Sequence, residues 1–200
     1  MLGTSAAAPS SASSSTARRS ARRSFLRKAG VGAVTMLGTG GIASVSAALP
    51  ADRRLRLFNA HTWEEIDLVY FTHGMYIDES LVAISHLMRD HRANAERPMD
   101  PKLLDDLVRL HASLGTDEPL RLLSGYRTPE TNARLRARRK GVAKFSLHME
   151  GRAADIHVPG VSTQQLFEAA LAMRAGGVGY YKSSGFVHVD TGLVRNWARG

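Results

Sequence analysis

Residues 146–158 read S-L-H-M-E-G-R-A-A-D-I-H-V, and residues 186–190 read F-V-H-V-D. Both A-A-D-I-H-V and F-V-H-V-D alternate polar with apolar residues, the pattern of a strand buried on one face. Side chains two apart on a strand share a face. Asp155 and His157 are therefore expected together, with Ile156 and Val158 packed behind them. Likewise His188 and Asp190 share a face, with Val187 and Val189 behind. If the two strands are neighbours, imidazoles and carboxylates converge on one patch of sheet, with His148 in the loop just before. Two imidazole nitrogens and one carboxylate oxygen leave a fourth tetrahedral position open, the ligand set of a catalytic rather than a structural zinc site.

Around these stretches the pattern predicts an α+β fold: a mainly antiparallel sheet carrying the zinc site, flanked by helices. R-L-R-L-F from Arg54, a turn at 59–62 and W-E-E-I-D-L-V-Y-F read as a hairpin. Asp78 or Ser80 starts a helix reaching to about Arg92, which makes His86 and His91 helix-surface or core-edge residues. Asp100-Pro101 starts a second helix, with Leu103, Leu104, Leu107, Leu110 and Leu114 along one side. A short strand over 120–123 leads into S-G-Y-R-T, and Thr128-Pro129 opens a third helix to about Lys140. Ser162 and Gln165 have capping-box spacing for a fourth helix to about Arg174, followed by the glycine-broken strand G-G-V-G-Y-Y.

The first 48 residues differ from the rest. They hold six Arg or Lys and no Asp or Glu, and Arg22-Arg23-Ser24-Phe25-Leu26 looks like a twin-arginine export signal. An uncharged run from Ala29 to Leu49 follows, weakly apolar because of its glycines and threonines. Ala47-Ala48 is the expected cleavage site, and an uncleaved anchor is the competing reading. The expected organisation is an export signal over 1–48 and a catalytic domain over 49–200, delivered by the twin-arginine route to the periplasm. Of the net charge of +9, the signal supplies +6, so the remainder carries 21 basic against 18 acidic groups, or +3. That mild balance argues against nucleic-acid binding. The run R-L-R-A-R-R-K over 134–140 reads as a solvated helix face, or alternatively as a basic patch for an anionic polymer such as the cell wall. Cysteine is absent, which excludes disulfides, thiolate nucleophiles and Cys-ligated metal.

The stretch from His148 to Asp155 matches H-x-x-G-x-A-x-D, the motif of the zinc peptidases grouped with lysostaphin, the D-Ala-D-Ala peptidases and the hedgehog signalling domain. Ser124-Gly125-Tyr126-Arg127 resembles their S-G-[YF]-R, and Phe186–Asp190 resembles their final ligand segment. L-R-A-R-R-K-G-V-A-K and A-M-R-A-G-G-V-G-Y-Y further resemble the periplasmic murein endopeptidases of the MepK type, over residues 54–197. The resemblance implies zinc held by His148, Asp155 and His188, and peptidoglycan peptide cross-links as substrate. It also implies that Arg127 holds a substrate carboxylate or carbonyl oxygen near the metal, a task suited to a guanidinium.

One departure concerns the base. Several relatives carry an acid three residues before the last His, and here that position is Gly185. Asp190 is the first candidate for base or for orienting a ligand imidazole, and His157 the second. A D-Ala-D-Ala carboxypeptidase and a non-catalytic zinc-containing wall-binding module remain the competing readings.

Overall fold

The computed structural model describes residues 49–138 and 141–200. The expected export signal lies outside them. The described residues form eight strands and four α-helices: β1 (Arg53–Asn59), β2 (Glu65–Thr72), β3 (Met75–Tyr76), α1 (Asp78–Leu87), α2 (Pro101–Leu114), β4 (Leu120–Ser124), α3 (Pro129–Arg138), β5 (Ala153–His157), α4 (Thr163–Met173), β6 (Gly177–Tyr181), β7 (Phe186–Asp190) and β8 (Arg195–Arg199). They build one eight-stranded sheet in the order β3-β2-β1-β4-β5-β7-β6-β8. The pairings are antiparallel except β1 with β4 and β6 with β8, so the α+β, mainly antiparallel architecture is observed. Among the described residues no helix is long and apolar enough to cross a membrane.

Alternation along the strands sorts the two faces. Leu55 and Leu57, Leu120 and Leu122, Ala154 and Ile156, and Val187 and Val189 are buried, and they join a core with α1, α2 and α4. α2 begins as its sequence requires: Asp100 accepts from the Lys102 amide at 2.9 Å, Pro101 follows, and Gly115 closes the helix in the left-handed region. Its Leu103, Leu104, Leu107 and Leu110 are buried almost completely, each stabilising the fold by about 1.5–3 kcal/mol. α4 carries the expected capping box between Ser162 and Gln165. Asp105 of α2 is buried too, and is satisfied by Arg53 at 2.7 Å, Tyr70 at 2.8 Å and Tyr76 at 3.0 Å.

Two elements differ from expectation. α1 ends at Leu87 rather than near Arg92, because the following residues are used elsewhere. Asp90, 2 % exposed, accepts from both the amide and hydroxyl of Thr128, at 2.9 and 3.0 Å, and from the Arg92 amide at 3.1 Å. These bonds hold the start of α3, and with it the S-G-Y-R segment, against the turn after α1; the Tyr126 amide also donates to the Met88 carbonyl at 2.8 Å. The second difference is β8, whose R-N-W-A-R sequence shows no alternation and gave no strand expectation.

Burial pushes the Asp90 carboxyl up, but hydrogen bonds from Thr131, Thr128 and Arg92 outweigh it and hold its pKa below the usual carboxylate value. A depressed carboxylate pKa stabilises the fold fully above the unfolded value of about 3.9, and that stabilisation is lost as pH falls through the folded value. Asp90→Asn is therefore expected to cost about 1–3 kcal/mol at pH 7. The gap from the parental protein should close below about pH 4. Urea unfolding at a series of pH values checks this; equal stability at pH 7 would remove Asp90 from that role.

Candidate metal centre

β5 and β7 are neighbours, and their register places Asp155 directly opposite His188. His148 comes from a 3-10 turn (Leu147–Glu150) that leads into β5. Gly151 ends that turn at φ 72°, and a Cβ there would press on the Pro98 carbonyl, which is why the motif keeps glycine three residues after the histidine. On the other side of β5, the register slips between Leu122 and Ser124 of β4. This bulge turns Ser124 rather than Leu123 to stand opposite Asp155, a re-aiming of the kind bulges provide beside sites. Three separate segments thereby meet at one point.

At that point His148 Nε2, Asp155 Oδ1 and His188 Nδ1 lie 3.2, 3.1 and 2.8 Å from one another, all on buried residues. The outer atoms of both rings fix their tautomers. His148 Nδ1 is 2.7 Å from the Gly125 carbonyl, which can only accept, so Nδ1 carries the proton. His188 Nε2 is 3.0 Å from the Asp190 carboxylate, so it too is the protonated nitrogen. In the neutral rings Nε2 of His148 and Nδ1 of His188 then turn lone pairs toward the carboxylate. Three acceptors facing inward repel one another unless a cation lies among them. Ligands at about 2.0–2.2 Å from a tetrahedral zinc would be about 3.3–3.6 Å apart. The observed separations are a little tighter, and the donor set of two imidazoles and one carboxylate fits such an ion.

Burial holds His148 down to about 4, despite Asp155, so the ring is neutral at pH 7. Burial pushes Asp155 up, but the groups around it, the Arg127 guanidinium among them, keep it well below the carboxylate range. Burial opposes charging of His188, yet the Asp155 and Asp190 carboxylates on either side of its ring raise its pKa. Arg127 ion-pairs with Asp155 Oδ2, donates to His148 Nε2 at 3.1 Å, and is braced by Ser124 Oγ at 2.8 Å. Its guanidinium thus lies over the ligand set on the cleft side.

Asp190 sits behind His188 with 0 % of its side chain exposed. Besides His188 it accepts from Arg195 at 2.7 and 3.1 Å and from the amides of Gly177 and Gly192 at 3.1 and 2.9 Å. Burial pushes its carboxyl up, but the bonds from His188, Arg195 and Gly192 hold it far below the usual range. His157 is placed elsewhere: it stands opposite Arg121 in the β4–β5 register, and burial together with that arginine's charge lowers its pKa. It does not line the cleft of ≈ 770 Å³ that opens over the ligand set. Further along, that cleft is bounded by Phe145, Tyr181, Phe186, Trp197 and Arg199. The β8 residues that line it, Arg195, Trp197 and Arg199, were not legible as site residues in the sequence.

The chain is similar to the peptidoglycan L,D-endopeptidase MepK of Escherichia coli strain K12, 47% identical over 177 residues that cover 88% of this chain and 96% of that protein. The protein of the same name from Shigella flexneri matches to the same extent. The probable peptidoglycan L,D-endopeptidase MepK of Haemophilus influenzae is 35% identical over 178 residues, covering 88% of this chain and 95% of that one. Residues 47–197 match the family described as peptidoglycan L,D-endopeptidase MepK, and the chain belongs to that family of M15 metal-dependent peptidases.

Proposed function

We propose that the protein is a zinc peptidase that hydrolyses L,D-peptide bonds in the peptide cross-links of peptidoglycan, in the periplasm. The observation that carries this reading is the inward-facing set of His148 Nε2, Asp155 Oδ1 and His188 Nδ1, beneath the Arg127 guanidinium and open to a cleft. Bound there, zinc would supply Lewis-acid polarisation of the scissile carbonyl and ease deprotonation of water. Arg127 donates to the substrate carbonyl oxygen or a neighbouring carboxylate, and to the oxyanion as it develops. Asp190, with every oxygen engaged and no exposure, acts by holding the His188 Nε2 proton and so keeping Nδ1 free as a ligand.

The cleft also suits the substrate. Arg92, Arg127, Arg195 and Arg199 line it against two carboxylates, Asp155 and Asp190, which leaves an excess of positive charge along its walls. A peptide bearing free carboxylates complements that balance. The cleft runs across the sheet from His61 near β1 to Arg199 on β8, with the ligand set between. A chain can extend on both sides of the reacting bond, which favours internal cleavage over trimming of a terminal D-Ala.

Mass spectrometry of cross-linked muropeptides incubated with the protein tests the reaction. Zinc-dependent cleavage of the cross-link, abolished by chelator, is expected; release of terminal D-Ala alone would make the protein a carboxypeptidase. His148→Ala, Asp155→Ala and His188→Ala should each lose bound metal and turnover together. Full zinc content in any of them would remove that residue from the ligand set.

Arg127 and Asp190 should behave differently. Arg127→Ala is expected to retain zinc and to lose about a hundredfold to a thousandfold in rate. Asp190→Asn should weaken zinc affinity by about ten- to a hundredfold. Parental affinity with lost turnover would instead make Asp190 a base.

Residues 1–48 fit delivery of such an enzyme to its substrate by twin-arginine export. Replacing Arg22→Lys together with Arg23→Lys should leave the precursor in the cytoplasm, as read by cell fractionation. Normal periplasmic accumulation would assign the signal to the general secretory route.

A further inference from the structure

β8 pairs in parallel with β6, which sets Arg195 beside Gly177 and Trp197 beside Gly179. Across β6 the same glycines face Asp190 and His188 of β7. One line of residues therefore crosses five strands: Trp197, Gly179, His188, Asp155 and Ser124. A second runs Arg195, Gly177, Asp190 and Ala153. With no side chain on β6 at these two points, side chains from β8 lie over it and reach those of β7. A Cβ on Gly179 would run into the Trp197 indole, and one on Gly177 into the Arg195 guanidinium and the Asp190 carboxylate.

The contacts made through these gaps are specific. The Trp197 ring stands 5.2 Å from the His188 imidazole, tilted by 48°, and its N–H donates to the Tyr181 hydroxyl at 3.1 Å. Arg195 grips both oxygens of Asp190 and lies 5.2 Å over the Trp197 ring. An imidazole serves a metal only while its lone pair points at the ion, and two motions spoil that aim. Rotation of the ring is resisted by Asp190, provided that Asp190 is itself fixed. Tilting of the ring is resisted by whatever packs on its face.

The geometry points to Arg195 and Trp197 as positioning residues of the metal centre: Arg195 fixes Asp190 by a two-point grip, and Trp197 packs against His188. The affinity of the His148–Asp155–His188 set is thus tuned from the outermost strand of the sheet. The inference rests on the metal reading given above.

The test titrates parental and variant proteins with zinc against a chromophoric chelator, records the visible spectrum after loading with cobalt(II), and measures thermal unfolding of the metal-free forms. Arg195 is 46% exposed, so Arg195→Gln leaves the core filled. It is expected to weaken zinc binding by about ten- to a hundredfold, a larger loss than it causes in metal-free stability. Arg195→Lys, which keeps the charge without the two-point fork, should restore part of that loss. Gly179→Ala, or Trp197→Leu if the former does not fold, should alter the cobalt spectrum. Parental zinc affinity in Arg195→Gln with an unchanged cobalt spectrum in the β8-contact variant would overturn the proposal. So would a loss of affinity matched by an equal loss of metal-free stability, since the role would then be structural. If the parental protein takes up neither zinc nor cobalt, the metal reading falls and this inference with it.

Discussion

Three hydrogen-bond acceptors aimed at one another in a buried place cost free energy, and a cation among them reverses the sign. Much of this fold maintains that arrangement. The β5–β7 register brings Asp155 and His188 face to face, and the turn ended by Gly151 swings His148 to join them. The Gly125 carbonyl and the Asp190 carboxylate take the outer protons of the rings, so neither imidazole can relieve the crowding by changing tautomer. Arg127 supplies positive charge from the solvent side. The arrangement is stable because each member is over-determined by neighbours, the usual condition for a frustrated cluster to survive in a folded protein.

The two faces of the sheet divide the work. One packs against α1, α2 and α4 and supplies the stability. The other holds the ligand atoms over a cleft, with aromatic groups such as Trp197 beside them. The core of leucines and valines therefore need not adapt to the chemistry. A change in the cleft is separated from it by the backbone of the sheet.

Much of this was legible in the sequence where the signal is local. Asp100-Pro101 and the pair Ser162 and Gln165 announce helix starts because capping bonds span only two or three residues. A-A-D-I-H-V and F-V-H-V-D announce strands with one buried face. The motif around His148 and Asp155 carries its own turn and strand. What the sequence hid depends on partners distant in the chain. α1 stops early because Asp90 serves Thr128, 38 residues on. Ser124 reaches the site through a bulge, and a bulge shows only against the strand it pairs with. His157 shares the alternation of Asp155, but two residues carry a side chain about 6.6 Å along a strand. Alternation gives the face and not that distance. β8 lacks alternation because neither of its faces is buried in the core: every residue but Trp197 is exposed.

An open sheet of eight strands has two borders, and each is a template on which another molecule could add a strand. Here one border is β3, only two residues long, and the other is β8, with an arginine at either end. Short length on one side and repelling guanidinium groups on the other discourage edge-to-edge stacking into fibres. Arg195 of the outermost strand thus serves colloidal solubility as well as the centre it braces. A mutation there chosen for its effect on metal would also change how the folded protein behaves when crowded.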